Sequence, residues 1–257
     1  MNDGKPTLWQ LDLSHYSEKA RWALDHKRVP HRRRSPLPGA HIPIAFALTR
    51  GGADTLPLLQ LDGRTIADST AIVAAIEERH PDPPLYPADP ELRRRALALE
   101  DFFDEELGPH VRHLSLYELI QEPAMFAEFA SLAVPEPLGR AKGPIGAYAR
   151  AYARLRFGAD SEAGAALARA KIVAALDRLD AELAANGGEY LVGDGFTVAD
   201  LTAASLFYLL VTPAEGPLPP AAPTPPAFER FRDGLRDRPG YRWVEEMFRR
   251  HRRPAGV

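Results

Sequence analysis

The sequence predicts an α+β protein: a small α/β domain over residues 1–83, then an all-helical domain over residues 91–257. Three observations carry this. Strand-like alternation and helix-like periodicity take turns through the first part of the chain. The proline-rich stretch Pro81–Pro90 then reads as a linker. Beyond it every pattern is helical, with no convincing strand.

Each element has its own local reason. Thr7–Asp12 (TLWQLD) alternates and reads as a strand, and Ser14–His26 places Ala20, Ala23 and Leu24 at helical spacing. Val29–Pro36 is a candidate second strand, and Ile42–Leu48 a short helix before the loop Arg50–Asp54. Within Leu56–Asp68, the runs LPLLQL and RTIAD flank Asp62-Gly63, the dipeptide a two-residue hairpin turn favours. Ser69–His80 shares one apolar face through Ile72, Val73 and Ile76, and Pro81–Pro84 stops it. The resulting order, β-α-β-α-β-β-α, implies a compact sheet of mixed strand directions. In the second domain the patterns predict helices over Glu91–Ile120, Ala163–Ala185 and Thr197–Leu210, and one or two over Phe228–His251. Prolines and glycines interrupt Glu122–Asp160, and its helices cannot be delimited from sequence.

Composition narrows the function. The chain is 45% hydrophobic and 26% charged with a formal net charge of −3, so nothing electrostatic points to nucleic acid. The clusters Arg32–Arg34, Arg93–Arg95 and Arg249–Arg253 are scattered and offset by acids, as solvated faces are. There are no cysteines, hence no protein thiolate, disulfide or cysteine-ligated zinc. Any thiol chemistry needs a thiol supplied by the ligand. Met1–Pro6 carries no apolar signal core, and Leu201–Val211 is too short to span a bilayer. A cytoplasmic protein without membrane or nucleic-acid partners is expected.

Three features converge in the first domain. Ser14-His15-Tyr16-Ser17 lies at a strand-to-helix junction, where free N–H groups and the helix dipole favour an anion. Its spacing matches a redox Cys-x-x-Cys site with serine at both sulfur positions, which excludes disulfide exchange but leaves a hydroxyl donor. Equally, Ser14 reads as an ordinary helix cap. Leu56-Pro57 precedes a strand. A cis bond there would leave the Leu56 main chain free to pair with a peptide, whereas a trans proline would simply start the strand. Asp68-Ser69-Thr70 opens the next helix. Ser69 can cap it and help hold a carboxylate, and Asp68 can meet an amino group, or both can be plain caps.

These segments together resemble the glutathione transferase superfamily, in its cytosolic serine-type form. SHYSEKARWALDHK (Ser14–Lys27) resembles the first helix of that family, TLPLLQLDG (Thr55–Gly63) its cis-proline strand and hairpin, and ADSTAIVAAIEERHP (Ala67–Pro81) its glutathione-binding helix. YLVGDGFTVADLTAASLF (Tyr190–Phe207) resembles its buried capping-box helix, with Thr197 and Asp200 as the box. The resemblance implies a thioredoxin-like first domain and glutathione as co-substrate. Ser14 would hydrogen-bond the glutathione sulfur, with Tyr16 and Ser17 as rival hydroxyls. Leu56 and Pro57 would pair with the cysteinyl part, and Asp68 and Ser69 would hold the γ-glutamyl end. His41 and Arg50 are candidates for the glycyl carboxylate. Tyr16, Phe102, Phe103, His110 and Tyr117 would line the pocket of a small electrophile, and the protein would be a homodimer. A glutathione-dependent isomerase or dehalogenase, or a non-catalytic binding protein on this fold, would share these features.

Glu106, His110 and His113 fall at i, i+4 and i+7, a spacing that can ligate a metal. A solvated or cleft-lining face is the reading preferred here, and no metal is expected. No nucleophile elbow, phosphate loop or dinucleotide fingerprint is present.

Overall fold

The computed structural model describes residues 5–135, 137–219 and 221–252. Met1–Gly4, part of the polar start noted above, and Arg253 of the last basic cluster lie outside them. Strand β1 (Thr7–Trp9) buries Leu8 and is an inner strand of a four-stranded sheet ordered β2-β1-β3-β4. On one side β2 (Arg32–Arg34) runs parallel, with Arg33 opposite Leu8; the crossover is helix α1 (His15–His26). On the other side β3 (Leu58–Leu61) is antiparallel, and β4 (Arg64–Ala67) pairs with it. The hairpin turns at Asp62 (φ 49°) and Gly63 (φ 77°), both left-handed, as a type I′ turn requires. Both β1 and β2 are shorter than their alternation suggests. Pro30 and Pro36 flank β2 and cannot donate to a ladder, and β2 is a charged edge strand.

Helix α2 (His41–Leu48) follows β2, and α3 (Ser69–Arg79) closes the first domain. The cap of α3 is one of the two that the sequence left open. Asp68, not Ser69, is the N-cap, its carboxylate accepting from Thr70 N (2.9 Å) and Ala71 N (3.1 Å). Ser69 is already helical, so only the preceding side chain reaches those amides.

The remainder is helical. The single helix expected over Glu91–Ile120 is two, α4 (Pro90–Glu106) and α5 (Gly108–Gln121). Pro109 has no N–H to continue the ladder. Gly108 is required on steric grounds, since a Cβ there would come 2.3 Å from Tyr16 Oη. The interrupted segment resolves into α6 (Pro123–Ser131), a 3₁₀ turn (Leu138–Arg140) and α7 (Lys142–Phe157). α6 and α7 meet closely at Gly146, where a Cβ would lie 2.5 Å from Ala127 Cβ. They share a small core of their own around Phe126, Ala130 and Ala153.

α8 (Glu162–Ala185), α9 (Val198–Val211), α10 (Pro226–Asp233) and α11 (Pro239–His251) complete the chain. Every residue of α9 is buried, and the main apolar core runs from Leu8 and Trp22 to Phe207 and Phe248 without a break. Among the described residues no helix is long and apolar enough to cross a membrane.

The start of α9 is held by Asp200, which accepts from Thr197 N, Thr197 Oγ1 and Leu191 N, each at 2.8 Å. Burial pushes its carboxyl up to about 6 against those three donors. Replacing Asp200 by Ala strands these donors inside the core. We expect a loss of about 2–4 kcal/mol, read as a lower urea midpoint at unchanged m-value; a midpoint within error of wild type would refute it.

Candidate active site

α1 begins at a cavity floor. Ser14 is its N-cap, with extended backbone (φ −80°, ψ 126°), and its Oγ accepts from Ser17 N at 3.3 Å. The hydroxyl proton is therefore available to an acceptor in the cavity that Ser14 lines. The rival hydroxyls are otherwise engaged. Tyr16 donates to the carbonyl of Asp104 in the last turn of α4 (3.0 Å), and burial, then the nearby Asp104 carboxylate, push its phenol up. Ser17 is fully buried, and its Oγ accepts from Leu11 N at 3.2 Å.

His15 sits between them, wholly buried, its Nε2 2.9 Å from Gly108 O. The carbonyl can only accept, so Nε2 carries the proton. Burial, then the nearby Arg112, hold its pKa down to about 3, so the ring is neutral at ordinary pH.

The peptide-like features gather beside Ser14. The Leu56–Pro57 bond is cis, Leu56 lines the cavity, and its N–H and C=O bond no other described group. At the head of α3, Asp68 adopts φ 77° and occupies the amides of Thr70 and Ala71 through Oδ1. That leaves the Ser69 N–H without an acceptor among the described residues, and Asp68 Oδ2 unused. Asp68 and Ser69 lie outside the cavity lining. Their turn is fixed from below by Lys19, which is fully buried and reaches Thr70 Oγ1 (2.7 Å), Glu100 (2.9 Å) and Asp104 (3.0 Å). Burial raises the Glu100 carboxyl, with Lys19 opposing it.

The cavity has a volume of about 520 Å³, the size of a small-molecule site. Its far wall comes from α5, α6 and α7, chiefly Arg112, Leu116, Phe129, Tyr148, Tyr152 and Phe157. Of the α4–α5 residues expected to line it, none does. Phe103 is in the core against Phe207, and Phe102 lies under Arg178. His110 is near Lys171, and Tyr117 bonds Glu162, so both are turned toward α8. The break at Leu107–Pro109 resets the phase, and Arg112, Ser115 and Leu116 present the cavity face instead. Pro109 was the signal available in the sequence; nothing local marked α6 and α7.

His41 lines the cavity with Nδ1 accepting from Gly39 N (3.0 Å) and Nε2 3.5 Å from Tyr152 Oη. Burial lowers its pKa, so it offers no strong cation. Arg50 is exposed in a left-handed turn after α2, away from the cavity. Glu106 pairs with Lys171, and no cluster of three His, Asp or Glu among the described residues is arranged to hold a metal.

This architecture, a small mixed sheet with an anion-favouring helix start and a helical domain over it, is matched by two family models. Residues 8–84 match the glutathione S-transferase N-terminal domain, and residues 147–242 the glutathione S-transferase C-terminal domain. The chain belongs to the glutathione S-transferase superfamily. It is 26% identical over 208 residues, 81% of this chain and 80% of the relative, to a probable maleylacetoacetate isomerase of Caenorhabditis elegans. Among solved structures it resembles a maleyl pyruvate isomerase, described as a bacterial zeta-class glutathione S-transferase (TM-score 0.61, 24% identity, 98% of each chain). It also resembles the theta-class glutathione S-transferase of Xanthomonas axonopodis pv. citri with glutathione bound (TM-score 0.56, 24% identity, 94% of this chain and 97% of that one).

The buried His15 and the half-buried His26 give a pH signature. His15 is held at about 3 and His26 at about 4, burial leading in both. The unfolded chain takes up these protons near pH ~6.5, so stability from the neutral rings is complete above that and is lost as pH falls toward 4 and 3. His15→Gln keeps a donor for Gly108 O but does not titrate. Urea unfolding across pH 6 to 4 should then give a slope shallower by about one proton; an unchanged slope would show that His15 does not resist protonation.

Proposed function

We propose that the protein is a glutathione-dependent transferase or isomerase in which Ser14 donates a hydrogen bond to the glutathione sulfur and favours its thiolate. The observation that carries this reading is the Ser14 hydroxyl. Of the three hydroxyls at the head of α1 it alone lines the cavity with an uncommitted proton. Lowering a thiol pKa by about two pH units takes ~2.7 kcal/mol of preference for the anion. One charge-assisted hydrogen bond plus a helix N-terminus can supply that.

The rest of the tripeptide fits the groups left unpaired. The Leu56 N–H and C=O beside cis-Pro57 suit the cysteinyl main chain, in the manner of an added strand. The γ-glutamyl carboxylate suits the free Ser69 N–H at the positive end of α3, and its ammonium suits Asp68 Oδ2. The thiolate then attacks an electrophilic carbon held against α5–α7. In a transfer, the C–S bond forms as the leaving group departs with its electron pair. In an isomerisation, addition to a conjugated double bond permits rotation before the thiolate is expelled. The names of the relatives with isomerase activity support the second outcome as much as the first.

Calorimetric titration with glutathione, together with the ultraviolet absorbance of the bound thiolate against pH, tests this. Ser14→Ala should raise the bound thiol pKa by one pH unit or more and lower kcat/KM at neutral pH by about 10²-fold, while binding persists. Ser69→Ala should weaken binding and leave the pKa of whatever glutathione still binds. Wild-type protein that binds no glutathione at millimolar concentration would overturn the reading.

A further inference from the structure

Helix α7 has two apolar sides, and the described residues cover only one of them. The inner side packs on α6 and its small core through Gly146, Ala149 and Ala153. The outer side carries Pro144, Tyr148, Ala151 and Leu155, all exposed, at spacings of four, three and four residues. That is the seam by which one helix pairs with another. Leu155 is 89% exposed, the most open large apolar side chain among the described residues. Tyr148 is 53% exposed, although its hydroxyl donates to Pro38 O.

Charge frames this seam. Leu138–Phe157 contains five cations, Arg140, Lys142, Arg150, Arg154 and Arg156, and no acid, in a chain whose formal net charge is −3. Arg150 and Arg154 lie one turn apart along one edge of the seam, and Arg156 lies along the other. Arg150 makes no ion pair or hydrogen bond with any described residue, and its Nε is enclosed without a partner. Three of the others hold acids loosely: Lys142 is 3.6 Å from Glu128, Arg154 is 3.9 Å from Asp160 and Arg156 is 3.2 Å from Asp54, all exposed. Pairs of that kind contribute little and exchange readily for a better-placed carboxylate.

We infer that the outer side of α7 is a docking surface for an acidic amphipathic helix of another protein, one whose apolar seam is flanked by Glu and Asp. Pairing removes Leu155 and Tyr148 from water, and the flanking carboxylates meet the cations on both edges. Ala147 and Ala151 present only methyl groups, so the backbone of a second helix can approach closely. A face that inserts into lipid carries bulky side chains at such positions instead. A second copy of this chain fits poorly, because a two-fold pairing sets Arg150, Arg154 and Arg156 of each copy against those of the other. Docking here requires nothing of the reaction proposed at Ser14.

The test is fluorescence anisotropy with a labelled three-heptad peptide, leucine along its seam and glutamate at the flanking positions, and with a twin carrying lysine for glutamate. Wild-type protein should bind the acidic peptide in the micromolar range, about tenfold or more tighter than the lysine twin, and more weakly as salt rises. Leu155→Glu, at a site open enough to leave Tm unchanged, should weaken that binding by about tenfold or more. Arg154→Glu should weaken the acidic peptide and strengthen the lysine twin, a reversal that no loss of folding produces. No binding of the acidic peptide at millimolar concentration, equal binding of the two peptides, or binding untouched by Leu155→Glu would overturn the inference. A sedimenting dimer that Leu155→Glu abolishes would also overturn it, giving the face to a second copy. Co-sedimentation with phosphatidylglycerol vesicles that Leu155→Glu abolishes would do the same, giving the face to a membrane.

Discussion

The burial of charge along α1 is the constraint on which the rest of the molecule depends. Glu18, Lys19, Arg21 and Asp25, and Lys27 at the C-cap, are all buried, on a helix packed between α3 and α9. Arg21 pairs within the helix, with Glu18, and the other partners come from elsewhere: Lys19 is met by Glu100 and Asp104 of α4, Lys27 by Glu77 of α3, Asp25 by Arg33 of β2, and Glu18 and Asp25 by Arg252 just past α11. Taking such charges out of water costs several kcal/mol per ion, about as much as good pairing returns, and a lost partner leaves that cost uncompensated. The pairs therefore add little net stability while penalising any other placement of α1. Ser14, at its first turn, is fixed by both domains at once.

The same helix shapes the cavity. His15 and Tyr16 press into the junction of α4 and α5, where their ring atoms meet Gly108 O and Asp104 O. Carbonyls in a last helical turn lack intrahelical donors, so the Tyr16 hydroxyl satisfies one of them. The close approach also demands glycine at 108. Because α5 restarts there, its apolar stripe and Arg112 face the cavity while Tyr117 faces α8. Tyr16, two positions from Ser14, thus sets which side chains of α5 face the cavity.

What could be read from the sequence was what local rules specify. The Asp62-Gly63 hairpin, the Ser14 helix start and the Thr197–Asp200 box each depend on a few neighbours, and each stands in the structure as expected. The apolar periodicity of Glu91–Ile120 was misleading because it continues across a break made by one missing N–H at Pro109. The α3 cap is Asp68, one of the two that the sequence left open, since Asp and Ser are equally good caps and only geometry chooses between them. Arg112 was illegible in principle. An arginine on an amphipathic helix reads as solvated, and only packing shows that this one lines the cavity. The walls from α6 and α7 were hidden for the same reason.

The two halves of the candidate site are built on different physics. On the first domain the groups left unpaired among the described residues are the main-chain N–H and C=O of Leu56 and the N–H of Ser69 at a helix terminus. Backbone geometry sets these, and side-chain substitution changes them little. The opposite wall hangs on α6 and α7, which pack with the end of α5 on a small core around Phe126 and Ala153 and touch the central one through Phe129. It reaches the first domain through rim contacts: Tyr148 to Pro38 O, Tyr152 beside His41, and Arg156 with Asp54. The Tyr148 and Arg156 contacts are exposed, and ion pairs of that kind contribute at most about 1 kcal/mol. Substitutions in the outer wall can thus alter the cavity at small cost to the core or to the head of α1, where Ser14 is held by contacts of its own.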